Sequence, residues 1–127
     1  MDLVDSLHIS AAGMRVQGVR LRVIAENLAN ADSLGTTSGA DPYRRKVVSF
    51  RNALDRSLGI RTVQVDRIGT DRGAFETRFD PSSPAADASG FIKLPNVNPL
   101  IEMTDMREAQ RSYEANINVI GATRRMI

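Results

Sequence analysis

The sequence predicts an α+β fold: long N- and C-terminal helices pairing as an antiparallel coiled-coil-like hairpin, with a small β-rich module between them. Three observations predict it. Apolar residues recur every seven positions over residues 3–30 and again beyond Pro99, with no proline inside either stretch. Five of the six aromatic residues lie between these stretches: Tyr43, Phe50, Phe75, Phe79 and Phe91. Charge divides the same way. Residues 1–30 hold three basic and three acidic groups and residues 99–127 hold four of each, so the whole net charge of +2 belongs to the middle. The chain of 127 residues thus divides into an N-terminal assembly helix at 1–30, a connector and β-rich module at 31–98, and a C-terminal assembly helix at 99–127. Large aromatics dominate small cores, so the middle is expected to be compact and to have a core of its own.

The first helix has a seam at coiled-coil spacing. Leu7, Met14, Leu21 and Leu28 form one row; Val4, Ala11, Gly18 and Ala25 form the row beside it, alternating steps of three and four. One row is large and the other mostly small, so a close helix contact is expected at Gly18 and Ala25. At ~1.5 Å per residue the helix spans roughly 40 Å. Residues 31–42, rich in Gly, Ser, Thr and Ala, suit a mobile connector. Strands follow at 45–50 and 61–68, a turn at 69–73, a strand at 74–79, a loop at 80–84 and a short strand at 90–94. Residues 51–58 suit a helical turn or a continued strand. Asn98 is a good N-cap, and Pro99 suits the first helical turn. Met106, Tyr113, Ile120 and Ile127 then form a seven-residue row, with Met103, Gln110 and Ile117 beside it. Pairing is expected between Leu7, Met14, Leu21 and Leu28 on one helix and Met106, Tyr113, Ile117 and Ile120 on the other.

Each helix carries a second apolar stripe. Ile9, Ala12, Val16, Val19 and Val23 cluster opposite the leucine row. Ala115, Val119, Ala122 and Met126 lie opposite Tyr113 and Ile120. A helix that is apolar on two sides needs neighbours on two sides. Those neighbours are most simply other chains, which makes Ile9, Val16, Val19, Val23, Ala115, Val119, Ala122 and Met126 candidate intersubunit residues. The alternative is that the middle module folds back and covers the second stripes. Apolar surface on both sides also predicts terminal helices that are poorly ordered alone and fold on assembly.

Composition excludes much chemistry. Cysteine is absent and histidine is limited to His8, which leaves no disulfide scaffold, thiol enzyme or Cys-ligated zinc site. A histidine-based metal site lacks a second imidazole. Ser6 and His8 are two residues apart and fall on different helix faces. Gly69 and Gly73 lack the Lys-Ser/Thr of a phosphate loop and suit a turn. No catalytic residue, cofactor or small-molecule substrate is expected. No apolar run approaches the ~18 residues of a membrane span. The N-terminus has neither the basic nor the apolar region of an ordinary secretory signal. Arg44, Arg45 and Lys46 form the one basic cluster. They suit either a salt-bridged patch or, as the alternative function, a module that binds nucleic acid or an acidic surface. Arginine outnumbers lysine fifteen to two, a bias that fits interfaces.

Several stretches carry a resemblance. Asn27-Leu28-Ala29-Asn30, closing the first helix, is similar to the signature of bacterial flagellar axial proteins, the rod, hook and hook-associated subunits. More specific likeness is to the proximal rod family. It lies in Pro42-Tyr43-Arg44-Arg45-Lys46, in Pro84-Ala85-Ala86-Asp87 with Gly90-Phe91-Ile92, and in Pro95-Asn96-Val97-Asn98. It continues from Glu102-Met103 through Arg111-Ser112-Tyr113-Glu114-Ala115-Asn116, so nearly the whole chain resembles that family in order and spacing. Ser83 stands where the family often has His, Phe91-Ile92 where Tyr-Val is common, and the chain stops at Ile127 where relatives run a few residues further. The resemblance implies a non-enzymatic subunit of the periplasmic drive-shaft in the flagellar basal body. It further implies export through the flagellar type III apparatus without a cleaved signal. The terminal helices would line the export channel, with the β module outside. Partners would be copies of itself, other proximal and distal rod subunits and the rod-to-ring adaptor, and not nucleic acid.

Overall fold

The computed structural model describes residues 2–127. The order is α1 (Leu3–Ala29), β1 (Lys46–Asp55), β2 (Ile60–Thr70), β3 (Glu76–Phe79), β4 (Phe91–Leu94) and α2 (Pro99–Met126). This is the α+β arrangement that the sequence predicts.

Both helices start on side-chain caps. The Asp2 carboxylate accepts the Asp5 amide at 2.8 Å, and the Asn98 side chain accepts the Leu100 amide at 3.0 Å. Each cap satisfies an orphan donor of the first turn. Asp5 and Glu102 sit in first turns and Arg124 and Arg125 in the last, which complements the helix dipoles. The helices run antiparallel: Asn27 reaches Glu102, Arg20 reaches Glu108, and Gly13 lies against Asn116.

Those three contacts fix the seam. On α2 it runs through Glu102, Met106, Ala109, Tyr113, Asn116, Ile120 and Thr123, alternating steps of four and three. Glu102, Ala109 and Thr123 are buried. On α1 it runs through Ser10, Gly13, Gln17, Arg20, Ile24 and Asn27, with Ser10, Ile24 and Asn27 buried. Met106, Tyr113 and Ile120 therefore lie along the seam, half-buried. Ile117, expected beside them, is 45% exposed. Leu7, Met14, Leu21 and Leu28 flank the seam and are half-buried. Small and polar residues occupy the line of closest approach because they let the backbones come together. A Cβ built on Gly13 would meet the Asn116 amide at 2.9 Å. The close contact expected at Gly18 and Ala25 is absent within the chain: a Cβ on Gly18 meets nothing within 4 Å, and Ala25 is exposed.

The second stripe of α1 is covered from inside. β1 and β2 form an antiparallel ribbon with a bulge between Ser49 and Phe50, and β2 lies along α1. Ala12, Val16 and Val23 are buried, and a cleft lined by Val16, Val19, Val63 and Val65 follows the contact. Val16 and Val23, expected to face other subunits, are thus buried by the chain's own ribbon; Val19 and Ile9 are half-buried. The reason is length. Ten strand residues at ~3.3 Å each match the roughly 30 Å of helix between residues 8 and 27. Residues 51–55 continue β1, and a turn at Gly59 (φ +69°) reverses the chain.

The middle has no shared aromatic core. β3 and β4 form a separate two-stranded sheet. Phe50, Phe79 and Phe91 are exposed, and Phe79 and Phe91 meet edge to face at 5.3 Å. Ile92 and Ala85 are buried instead. A two-stranded sheet offers no second layer, so the longer ribbon takes α1 as its layer. Residues 31–42, expected to be mobile, are pinned at several points. The Tyr43 amide donates to the Ser33 carbonyl at 2.9 Å, the Ser38 hydroxyl to the Ala86 carbonyl at 2.6 Å, and Pro42 is buried.

Candidate assembly surfaces and the polar knot behind them

Where α1 ends, it meets the start of β1 and the start of α2, and polar side chains fill the junction of the three. Asn27 and Glu102 are each 1% exposed. The Asn27 carboxamide donates to the Lys46 carbonyl (2.9 Å) and to Glu102 (3.3 Å). Its oxygen accepts the Tyr43 hydroxyl (2.7 Å) and the Lys46 amide (2.9 Å). One asparagine thereby ties α1 to the start of β1 and to α2. Tyr43 is held above its ordinary pKa, first by burial and then by the charges of Glu26 and Glu102. Its hydroxyl is the donor to Asn27.

The basic cluster is spent on this knot. Arg45 donates to the buried Glu102 carboxylate and to Asp71 (3.3 Å), and stands 3.7 Å from Asp105. Its amide donates to the Asn96 side chain at 2.7 Å. Lys46 pairs with Glu26 at 2.6 Å. Arg44 donates to the Asp71 and Gly73 carbonyls at 2.8 and 3.0 Å, and its guanidinium lies 4.1 Å from the Phe75 ring centre. The Gly73 amide bond, followed by Arg45, holds the Asp71 carboxyl below its ordinary range despite some burial. Among the described residues no buried side-chain polar atom lacks a partner. All three basic residues face carboxylates, carbonyls or a ring of their own chain. Nothing supports the alternative of a nucleic-acid or acidic-surface module built on them.

The sequence stretches that carry the family likeness converge here. Asn27 comes from the first, Tyr43 to Lys46 from the second, Asn96 from the fourth and Glu102 from the fifth, while Pro95 is buried beside Asn96. Leu28 is half-buried, Ala29 is exposed, and Asn30 caps α1 through the Glu26 carbonyl at 2.9 Å. Val97 is half-buried, and Asn98 caps α2. Arg111, Glu114 and Ala115 are exposed, whereas Ser112, Tyr113 and Asn116 are half-buried, Asn116 beside Gly13 of α1. Glu102 and Asp71 were not predicted as site residues. The signal for Glu102 was faint: a carboxylate in a first helical turn is ordinarily solvated.

Beyond the knot, α2 packs on α1 alone among the elements. Its outer sides are left bare. Val119 is 45% exposed and Met126 70%, with Leu100, Ile101 and Met103 likewise exposed. Ala115 is exposed, and Ala122 half-buried. On α1 the leucine row is only partly covered, on the side away from the ribbon. No group of three or more metal-ligating residues occurs among the described residues, and no described helix is long and apolar enough to cross a membrane. The arrangement offers long apolar helix edges on a frame locked by buried hydrogen bonds.

Comparisons with known proteins agree in kind. Residues 88–127, from β4 through α2, match the family model "Flagellar basal body rod FlgEFG protein C-terminal". The chain is 55% identical over 119 residues to the flagellar basal-body rod protein FlgC of Agrobacterium fabrum, covering 94% of this chain and 86% of that one. It is 37% identical over 129 residues to the protein of the same name from Salmonella typhimurium, covering 100% and 94%. With the Bacillus subtilis protein of that name it shares 35% identity over 142 residues, covering 100% and 95%.

Proposed function

The chain belongs to the FlgC family of flagellar basal-body rod proteins and is a structural subunit of the rod, and we propose that it is built into the proximal rod through its two terminal helices. It assembles with other rod components. The finer reading is that its neighbours are copies of itself, other proximal and distal rod subunits and the rod-to-ring adaptor. In that reading segments 1–30 and 99–127 are the assembly elements and 31–98 the outer module. The rod lies in the periplasm, transmits torque and surrounds the export channel. The subunit reaches it through the flagellar export apparatus without cleavage of a signal, and performs no catalysis.

The observation that carries this reading is the one-sided packing of α2. A 28-residue helix whose packing partner is one other helix leaves more apolar surface in water than a soluble protein ordinarily tolerates. Burial by neighbours recovers roughly 25 cal/mol per Å² of that surface. Ile101→Glu and Val119→Glu place charges on it without touching the seam with α1. In cells lacking their own copy, each variant is expected to abolish motility and intact rods, while the purified protein keeps the parent's circular dichroism. Normal rods in both variants would overturn the reading.

A further inference from the structure

We propose that one copy of this chain docks on a second through a second coiled-coil seam, the outer edge of α1 in one copy receiving the outer edge of α2 in the next. The proposal rests on the reading of the chain as a helix-assembled rod subunit, and adds which edges meet, what pairs them and in what register.

Each helix repeats the alternation of three and four on a second line. On α1 it is Ala11, Arg15, Gly18, Arg22 and Ala25; on α2 it is Met103, Arg107, Gln110, Glu114 and Ile117. At 3.6 residues per turn these lines stand about 150° and about 110° from the seam that joins the two helices within the chain. Both are open. Arg15, Arg22 and Ala25 are exposed, and the space over Gly18 is empty to 4 Å. Met103 and Ile117 are 50% and 45% exposed. The two edges are complementary in size, since one is small along its centre and the other carries Met and Ile. Opposite charges are available at one position on each, Arg22 on α1 and Glu114 on α2, beside Arg15 and Arg107. Arg22 and Glu114 have no ion-pair partner among the described residues.

Charge also selects the register. Within the chain, residue 20 of α1 stands near 108 of α2, and 13 near 116. A neighbouring α2 laid on the outer edge at that same height would set Arg15 against Glu114 but also Arg22 against Arg107, so one attraction is cancelled by one repulsion. A slide of seven residues, about 10 Å, keeps the knobs and holes in step. It sets Arg22 against Glu114 and moves Arg107 to Ala29. The two edges differ, so the contact is heterologous, and a stagger at every step yields a helical tube instead of a flat ring.

Arg22→Glu and Glu114→Arg are each made alone and then together in one chain. Rods are counted in basal bodies from cells lacking their own copy, with circular dichroism of each purified variant as the folding control. Each single variant is expected to lower intact rods about tenfold or more, through like charges at the contact, and the double variant to restore them. Normal rods in the single variants would overturn the pairing. So would loss that the double variant does not repair, since another surface would then face these residues. Val119→Glu, run alongside, separates the two levels. If it blocks rods while the charge variants do not, the pairing falls and the assembly reading stands; if it too builds rods, and Ile101→Glu does as well, the assembly reading falls.

Discussion

A single asparagine and a single glutamate hold three segments together: the end of α1, the start of β1 and the start of α2. Asn27 satisfies both donors and accepts twice, and Glu102 is buried against Arg45. Removing one partner of a fully buried charge pair costs about 3–5 kcal/mol. The part-exposed Arg45 keeps Asp71 and Asp105 when Glu102 is lost, so the cost here is smaller. Glu102→Ala is therefore expected to destabilise the purified chain by about 1–3 kcal/mol in urea titration, and Glu102→Gln, which keeps an acceptor for Arg45, by clearly less. Equal losses would mean that the charge carries the whole effect and the retained acceptor and shape contribute nothing. The sequence made the residue types of the knot visible but not their roles. Arg44, Arg45 and Lys46 look like a surface patch until the folded chain brings Glu102 and Asp71 to them from 57 and 26 residues away. No local pattern encodes such a meeting.

At the scale of elements, the pattern of the chain announces both helices and all four strands, and on α2 places Met106, Tyr113 and Ile120 on the seam, yet misplaces the rotation of α1. Apolar rows at heptad spacing invite the assumption that the largest side chains form the seam. Here Gly13, Ala109 and Asn116 occupy it, because close approach and hydrogen bonding at the knot outweigh the area that Leu7, Met14, Leu21 and Leu28 would bury against α2. The second stripe of α1 proved to belong to the ribbon, since a β-hairpin of matching length reaches farther than a residue count suggests. Two glycines five residues apart test this rotation. Gly13→Leu forces a side chain into Asn116 and is expected to destabilise the monomer by about 1–3 kcal/mol. Gly18→Leu meets open space, so the monomer should be unchanged or slightly firmer, as leucine is the better helix former by under 1 kcal/mol. Thermal melting of the two variants distinguishes them, and a reversed order would place the seam on the leucine side after all.

For the molecule as a whole, the two helices are unequal. α1 is packed on two sides, by α2 and by β2, while α2 leans on α1 alone. Apolar surface on both sides of a helix does not by itself imply a disordered helix; what matters is how much of it the chain covers. Local opening costs least where few apolar groups are buried and most backbone is near solvent. In α2 burial thins out past Ala109: Thr123 is buried there, while Val119, Met126 and Ile127 are exposed. The opposite end is tied down by Glu102 and the Asn98 cap. Amide exchange on the purified monomer should therefore show strong protection over residues 10–27, intermediate protection over 102–113 and weak protection beyond 114. The weak segment should become protected in isolated rods, because neighbours then cover its bare sides. Uniform strong protection of α2 in the monomer would mean that the helix needs no neighbour to stay folded. Assembly would then dock a finished surface and fold nothing.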